Sequence, residues 1–115
     1  MPKHYFILRK KPIICDFCSS QDVHWSYDCP DFSLTLPSGE PWGSTEGWAA
    51  CDACHDFIEA NDWDGLRERA VASYFDIHPD TLLIGATAAV RRRLDSDLRL
   101  MHGRFAELKT GVERI

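Results

Sequence analysis

Apolar and polar residues alternate along Val23-His24-Trp25-Ser26-Tyr27 and again along Phe32-Ser33-Leu34-Thr35-Leu36. A period of two marks a strand with one buried face. Asp28 to Asp31 then read as a hairpin loop between the two, and Pro37-Ser38-Gly39-Glu40-Pro41 as a second turn. Glu46 to Ala50 can return as a short third strand. Beyond Cys51 the period becomes helical: Ala53, Phe57, Ile58 and Ala60 share one face, and Asn61 can end the turn. Asp62 can cap a second helix with a stripe of Trp63, Leu66, Ala70 and Tyr74, widened by Val71 and Phe75. Gly65 weakens its first turn, and Ile77-His78-Pro79-Asp80 breaks the pattern.

The longest stripe follows. Leu83, Ala86, Val90, Leu94, Leu98, Met101, Phe105 and Leu108 recur every three or four positions, and Val112 continues the spacing. They predict a third helix from Asp80 or Thr81 to about Thr110, stopped by Gly111, with Gly85 and Gly103 as weak points. Such a helix would be about 45 Å long at 1.5 Å per residue, more than a small neighbouring domain can cover. Three fates are open to its stripe: folding back on the second helix, a coiled-coil-like seam with a second copy, or a partner protein.

Composition narrows the class. At 44% hydrophobic and 27% charged over 115 residues, the chain is globular rather than disordered. Lys and Arg number 13 against 18 Asp and Glu, a net charge of −5. That balance is segregated: +4 over residues 1–14, −12 over 15–80 and +3 over 81–115. A nucleic-acid groove needs clustered Lys and Arg, so DNA, if touched, is touched by the ends. The dense basic clusters are Arg9-Lys10-Lys11 and Arg91-Arg92-Arg93. Arg92 and Arg93 should project away from the stripe between Val90 and Leu94. The start of the chain is too broken by charge for a secretory signal, and no apolar run approaches a membrane span. A cytoplasmic protein is the expectation.

The five cysteines carry the chemistry. Cys15-Asp16-Phe17-Cys18 and Cys51-Asp52-Ala53-Cys54 are two C-x2-C pairs with 32 residues between them. A two-residue spacer lets one tight turn aim two sulfurs at one ion, and two such knuckles complete the tetrahedral shell of a structural zinc. A closed shell leaves no position for substrate. The second pair opens a helix, where free N–H groups and the helix dipole favour thiolate. Knuckle, hairpin, then a helix opening on the second pair is the order of a treble clef. The predicted fold is therefore α+β, with a basic segment at 1–14, a four-cysteine domain at 15–61 and a helical extension at 62–115. A thioredoxin-like redox pair would need a βαβ context the pattern lacks. An iron–sulfur cluster uses the same four thiolates and stays open as an alternative. Cys29, in an acidic turn, reads as a spare thiol. Trp25, Trp42 and Trp48 read as packing over the knuckles, or as an exposed aromatic platform.

Gly47-Trp48-Ala49-Ala50-Cys51-Asp52-Ala53-Cys54-His55, with the earlier knuckle, resembles a group of small actinobacterial zinc-finger-like proteins without assigned activity. The resemblance spans roughly residues 13 to 70 and implies a zinc module. Cys51-x-x-Cys54-His55 is also similar to the C-terminal half of zinc-stabilised HNH nucleases, in which His55 would match a helix histidine beside a catalytic metal. That family places an Asp-His pair between the knuckles. Here that stretch reads Asp28-Cys29-Pro30-Asp31, and His24 is the only histidine between the knuckles. His55 otherwise reads as a residue near the zinc, and His4, His24, His78 and His102 are too scattered for a second metal site. The sequence thus predicts a non-enzymatic, zinc-stabilised regulatory or adaptor protein. It would hold its metal through Cys15, Cys18, Cys51 and Cys54. Its protein partner, or a second copy, would meet Leu94, Leu98, Met101 and Phe105, with Arg91, Arg92 and Arg93 as an anchor. A DNA-binding regulator using the same helix and a degenerate nuclease are the alternatives.

Overall fold

The computed structural model describes residues 13–82 and 87–115. The basic cluster at residues 9–11, two positions of the long stripe, Leu83 and Ala86, and the weak point Gly85 lie outside them. The architecture is α+β. Among the described residues, five strands, β1 (Val23–Asp28), β2 (Phe32–Thr35), β3 (Pro41–Ser44), β4 (Trp48–Cys51) and β5 (Gly111–Arg114), form two small sheets. Three helices, α1 (Asp52–Glu59), α2 (Trp63–Ile77) and α3 (Thr87–Leu108), pack with them, and a 3₁₀ turn, Pro79–Leu82, follows α2.

The strand partners differ from expectation. β1 and β2 are not a hairpin. β1 pairs antiparallel with β4, Tyr27 opposite Trp48 and Trp25 opposite Ala50. The unpredicted β3 takes β2 instead, Leu34 opposite Trp42. A period of two fixes which face of a strand is buried and is silent about which strand lies beside it. The larger sheet runs β4-β1-β5. Gly47 lets the chain enter β4 closely, since its φ is +74° and a Cβ there would stand 2.6 Å from the Tyr27 carbonyl oxygen.

α1 opens directly on Cys51, and its end is a closed local device. Asn61 takes a left-handed φ of +55°, its N–H donates to the Ile58 carbonyl, and the Asp62 N–H donates to that of Phe57. Asp62 then caps α2, accepting from the Gly65 N–H at 2.9 Å. Gly65 has a use there: a Cβ would stand 2.6 Å from both the Asp62 carboxylate and the Phe57 ring.

α3 is described from Thr87 and stops at Leu108, sooner than its stripe suggests, while the expected start at Asp80 or Thr81 lies in the 3₁₀ turn. Val112 belongs not to the helix but to β5, opposite Tyr27. Part of α3 packs back against its own chain. Arg67 of α2, mostly buried, donates to Asp95 of α3 at 2.7 Å and to Asp64 at 2.7 Å. Phe105 is fully buried, its ring 4.9 Å from Trp48, 5.3 Å from Phe17, 5.5 Å from Tyr27 and 6.1 Å from Trp63. One side chain thus joins the first knuckle, the sheet and α2. Among the described residues, no helix is long and apolar enough to cross a membrane.

Candidate metal centre

The first knuckle is a tight turn. The Cys15 N–H donates to the Ser20 carbonyl, the Ser19 N–H to the Cys15 carbonyl, and Ser19 takes a positive φ of 65°. The Phe17 N–H reaches the Cys15 sulfur at 3.4 Å. The second knuckle is built differently, with Cys51 ending β4 and Cys54 in the first turn of α1. Asp16 straps one to the other: its N–H donates to the Ala49 carbonyl, and its carboxylate accepts from the Ala49 N–H at 2.7 Å. β4 is thereby fastened to the first knuckle two residues before Cys51.

The outcome is four buried sulfurs, those of Cys15, Cys18, Cys51 and Cys54, all within 4.8 Å of one another. A tetrahedron with metal–sulfur bonds of 2.3 Å has edges of about 3.8 Å; the Cys18 and Cys51 sulfurs are 3.6 Å apart. That spacing is far too long for a disulfide, and all five cysteines are free. The donor set suits a single metal ion.

The sulfurs also shift one another's protonation. The Cys54 thiol donates to Cys15, which brings Cys15 down to about 5 against the opposing effect of burial. The same bond, with burial and the other sulfurs, drives Cys54 up. Burial also raises Cys18. Four thiolates cannot share this volume unless a cation lies among them. One protein cation is at hand: the Arg69 guanidinium, on α2, donates to the Cys51 sulfur at 3.9 Å. Burial opposes its charge, but contacts with Cys18, Cys51 and Cys54 more than offset this and raise its pKa.

Around the second knuckle lies a set of contacts that sequence reading did not resolve. The Trp25 indole N–H donates to Asp52 at 2.9 Å, and His24 Nδ1 meets the same carboxylate at 3.1 Å. The indole hydrogen bond, then the histidine contact, keeps Asp52 below the usual carboxylate range. His55 stacks on Trp25 with ring centroids 3.6 Å apart, and its Nδ1 is 2.9 Å from the Tyr27 hydroxyl. Tyr27 in turn donates to Glu59 at 2.8 Å, and burial followed by that carboxylate raises its pKa. His55, next to Cys54 on α1, thus ties α1 to β1. Among the described residues, the four cysteines are the one group of three or more His, Cys, Asp or Glu whose ligand atoms are close enough for a metal; His24 and His55 belong to separate pairs.

The remaining expectations divide. Trp48 is buried and tilted over Phe17 of the first knuckle at 4.9 Å, whereas Trp25 and Trp42 are half-buried. Burial, then Asp31, raises the Cys29 thiol. On α3, Arg91, Arg92 and Arg93 are exposed, and Arg91 lies over the Phe75 ring at 5.1 Å. Leu94, Leu98 and Met101 are half-buried. Phe105 has to be withdrawn from the partner surface, because its ring is wholly enclosed by the chain's own core. Its stripe neighbour His102 is also buried, 5.5 Å from Phe17, with Nδ1 lacking a hydrogen-bond partner.

Sequence reading missed Arg69, His102 and the Asp16 strap. One signal was present: each knuckle reads Cys-Asp-x-Cys, and both aspartates organise β4 or β1 around the centre. Comparison of the chain with protein-family models, with curated proteins and with solved structures gives no match in any of the three.

Proposed function

We propose that the chain is a small regulatory or adaptor protein, folded on one structural zinc ion and acting through a protein partner rather than through catalysis. The observation that carries this reading is the four buried cysteine sulfurs within 4.8 Å of one another. Four thiolates fill a tetrahedral shell, so no position is left for a water or substrate, as a catalytic zinc requires. A cluster of several irons would spread its thiolates over separate metal atoms and so hold them farther apart, which favours one ion. The frame is treble-clef-like: a knuckle at 15–18, a hairpin made of β1 and β4 with β2 and β3 inserted, and α1 bearing Cys54. The ion supplies folding energy, typically about 10–16 kcal/mol of apparent binding for such sites.

The partner surface in this reading is α3, with Leu94, Leu98 and Met101 half-buried beside the exposed Arg91 to Arg93. The cytoplasm suits a site of reduced thiols. The deciding experiment is elemental analysis of purified protein with circular dichroism before and after chelation. The expected result is one zinc per chain and loss of folded signal when it is stripped. Protein without stoichiometric metal would end the reading. For the surface, Leu98→Asp should abolish partner binding with zinc content unchanged. The second reading, DNA binding, draws on the exposed Arg92 and Arg93. It predicts a steeply salt-dependent gel shift that collapses when Arg91, Arg92 and Arg93 become Ala.

A further inference from the structure

We propose that Arg69 is the counter-charge of the cysteine centre, a residue outside both knuckles that sets how tightly the metal is held. This rests on the single-ion reading above. Arg69 stands on α2, and its guanidinium donates to the Cys51 sulfur at 3.9 Å. One turn later on the same helix, the Ser73 hydroxyl donates to the Cys18 carbonyl. Positions four apart share a helix face, so α2 grips the second knuckle through Arg69 and the first through Ser73. Neither contact would be needed to seat a helix whose apolar face already buries Leu66, Ala70 and Val71.

Charge counting gives Arg69 its task. Four thiolates around a divalent ion leave two excess negative charges. An aspartate follows the first cysteine of each knuckle and adds to the negative field. Asp52 is met by Trp25, His24 and Arg114, and Asp16 by the Ala49 N–H. Among the described residues, Arg69 is the side-chain cation that donates to a cysteine sulfur. A positive charge and an N–H donor beside a thiolate offset the excess negative charge of the centre, so the metal and its thiolates are held together more tightly. Arginine suits the position because its charge is permanent and its donors form a planar fork.

The test uses the full chain loaded with zinc, its affinity read by competition with a chromophoric chelator at fixed pH. Arg69→Met should bind zinc about 10- to 100-fold more weakly, the usual cost of losing a partner of a metal ligand. Arg69→Lys should recover most of that loss, Arg69→Gln should fall between Lys and Met, and Arg104→Met, at an exposed position of α3, should match the parent chain. Substituted with cobalt(II), Arg69→Met should also show a shifted sulfur-to-cobalt charge-transfer band, which a merely structural loss of helix packing would not move. Unchanged affinity and an unshifted band in Arg69→Met overturn the inference while leaving the zinc reading intact. If Arg69→Met does not fold, the ranking Arg, Lys, Gln decides, and equal affinities overturn the inference. Failure of the parent chain itself to bind zinc overturns both.

Discussion

The two knuckles share the pattern Cys-Asp-x-Cys and almost nothing else. The first is a free-standing turn held by its own backbone and by Asp16. The second is spliced into regular structure, one cysteine closing a strand and the other riding a helix. Their aspartates differ accordingly. Asp16 satisfies a main-chain N–H of β4, whereas Asp52 sits in the open at the start of α1 and collects side chains. Their apolar neighbours differ too. Phe17 faces Trp48, His102 and Phe105, so the first knuckle is the one that the C-terminal half of α3 covers. The same four-residue pattern is thus a turn needing a lid in one place and a self-supported junction in the other.

Replacing a ligand should erase this difference. Cys18→Ser and Cys54→Ser each remove one of four donors, and both should lose stoichiometric metal and show no cooperative thermal transition. Removing the lid should restore it. Phe105→Ala leaves a cavity among four rings and should cost about 3–5 kcal/mol, read by denaturant unfolding, with zinc still bound. The lid also brings a pH dependence of its own. Burial, then the nearby Arg67 charge, lowers His102 to about 4 from the ordinary 6.5. Above 6.5 its contribution is complete. As pH falls from 6.5 to 4, the unfolded chain takes a proton that the folded chain refuses, for a total loss on the order of 3 kcal/mol. His102→Leu should flatten that part of the stability–pH curve relative to the parent, with acid effects on the thiolates common to both. At the small end, Asp16→Ala should cost about 1 kcal/mol for the Ala49 N–H it abandons. Asp52→Ala should leave stability nearly unchanged while freeing His24 and Trp25, whose indole fluorescence would report it. Equal effects of the two aspartate substitutions would show that the knuckles are more alike than their surroundings suggest.

Local features were legible in the sequence because their causes are local. The cysteine pairs, the Asp62 cap, the Asn61 stop and the turn at 37–41 are fixed by neighbours a few residues away. The partner of β1 was not, because Asp28 to Asp31 satisfies loop chemistry whether the chain returns at once or later. β5 was hidden for a related reason: Gly111 and Val112 fit a helix stop followed by one more stripe position, and only pairing with a strand more than eighty residues earlier reveals a strand. The long stripe shows helical spacing but does not tell which of its residues the chain's own core takes up. Phe105 is core, whereas Leu94, Leu98 and Met101 of the expected interface are half-buried. Arg69 could not be found at all, since an exposed arginine on an amphipathic helix looks the same whatever lies beneath it.

The place of β5 has a consequence for synthesis. A nascent chain leaving the ribosome has all four sulfurs available once Cys54 emerges, yet the outer edge of β1 waits for Gly111–Arg114. Throughout that interval a bare strand edge is exposed, open to pairing with another polypeptide. Translation rate across α3 therefore governs how long the unfinished sheet is exposed to misassembly.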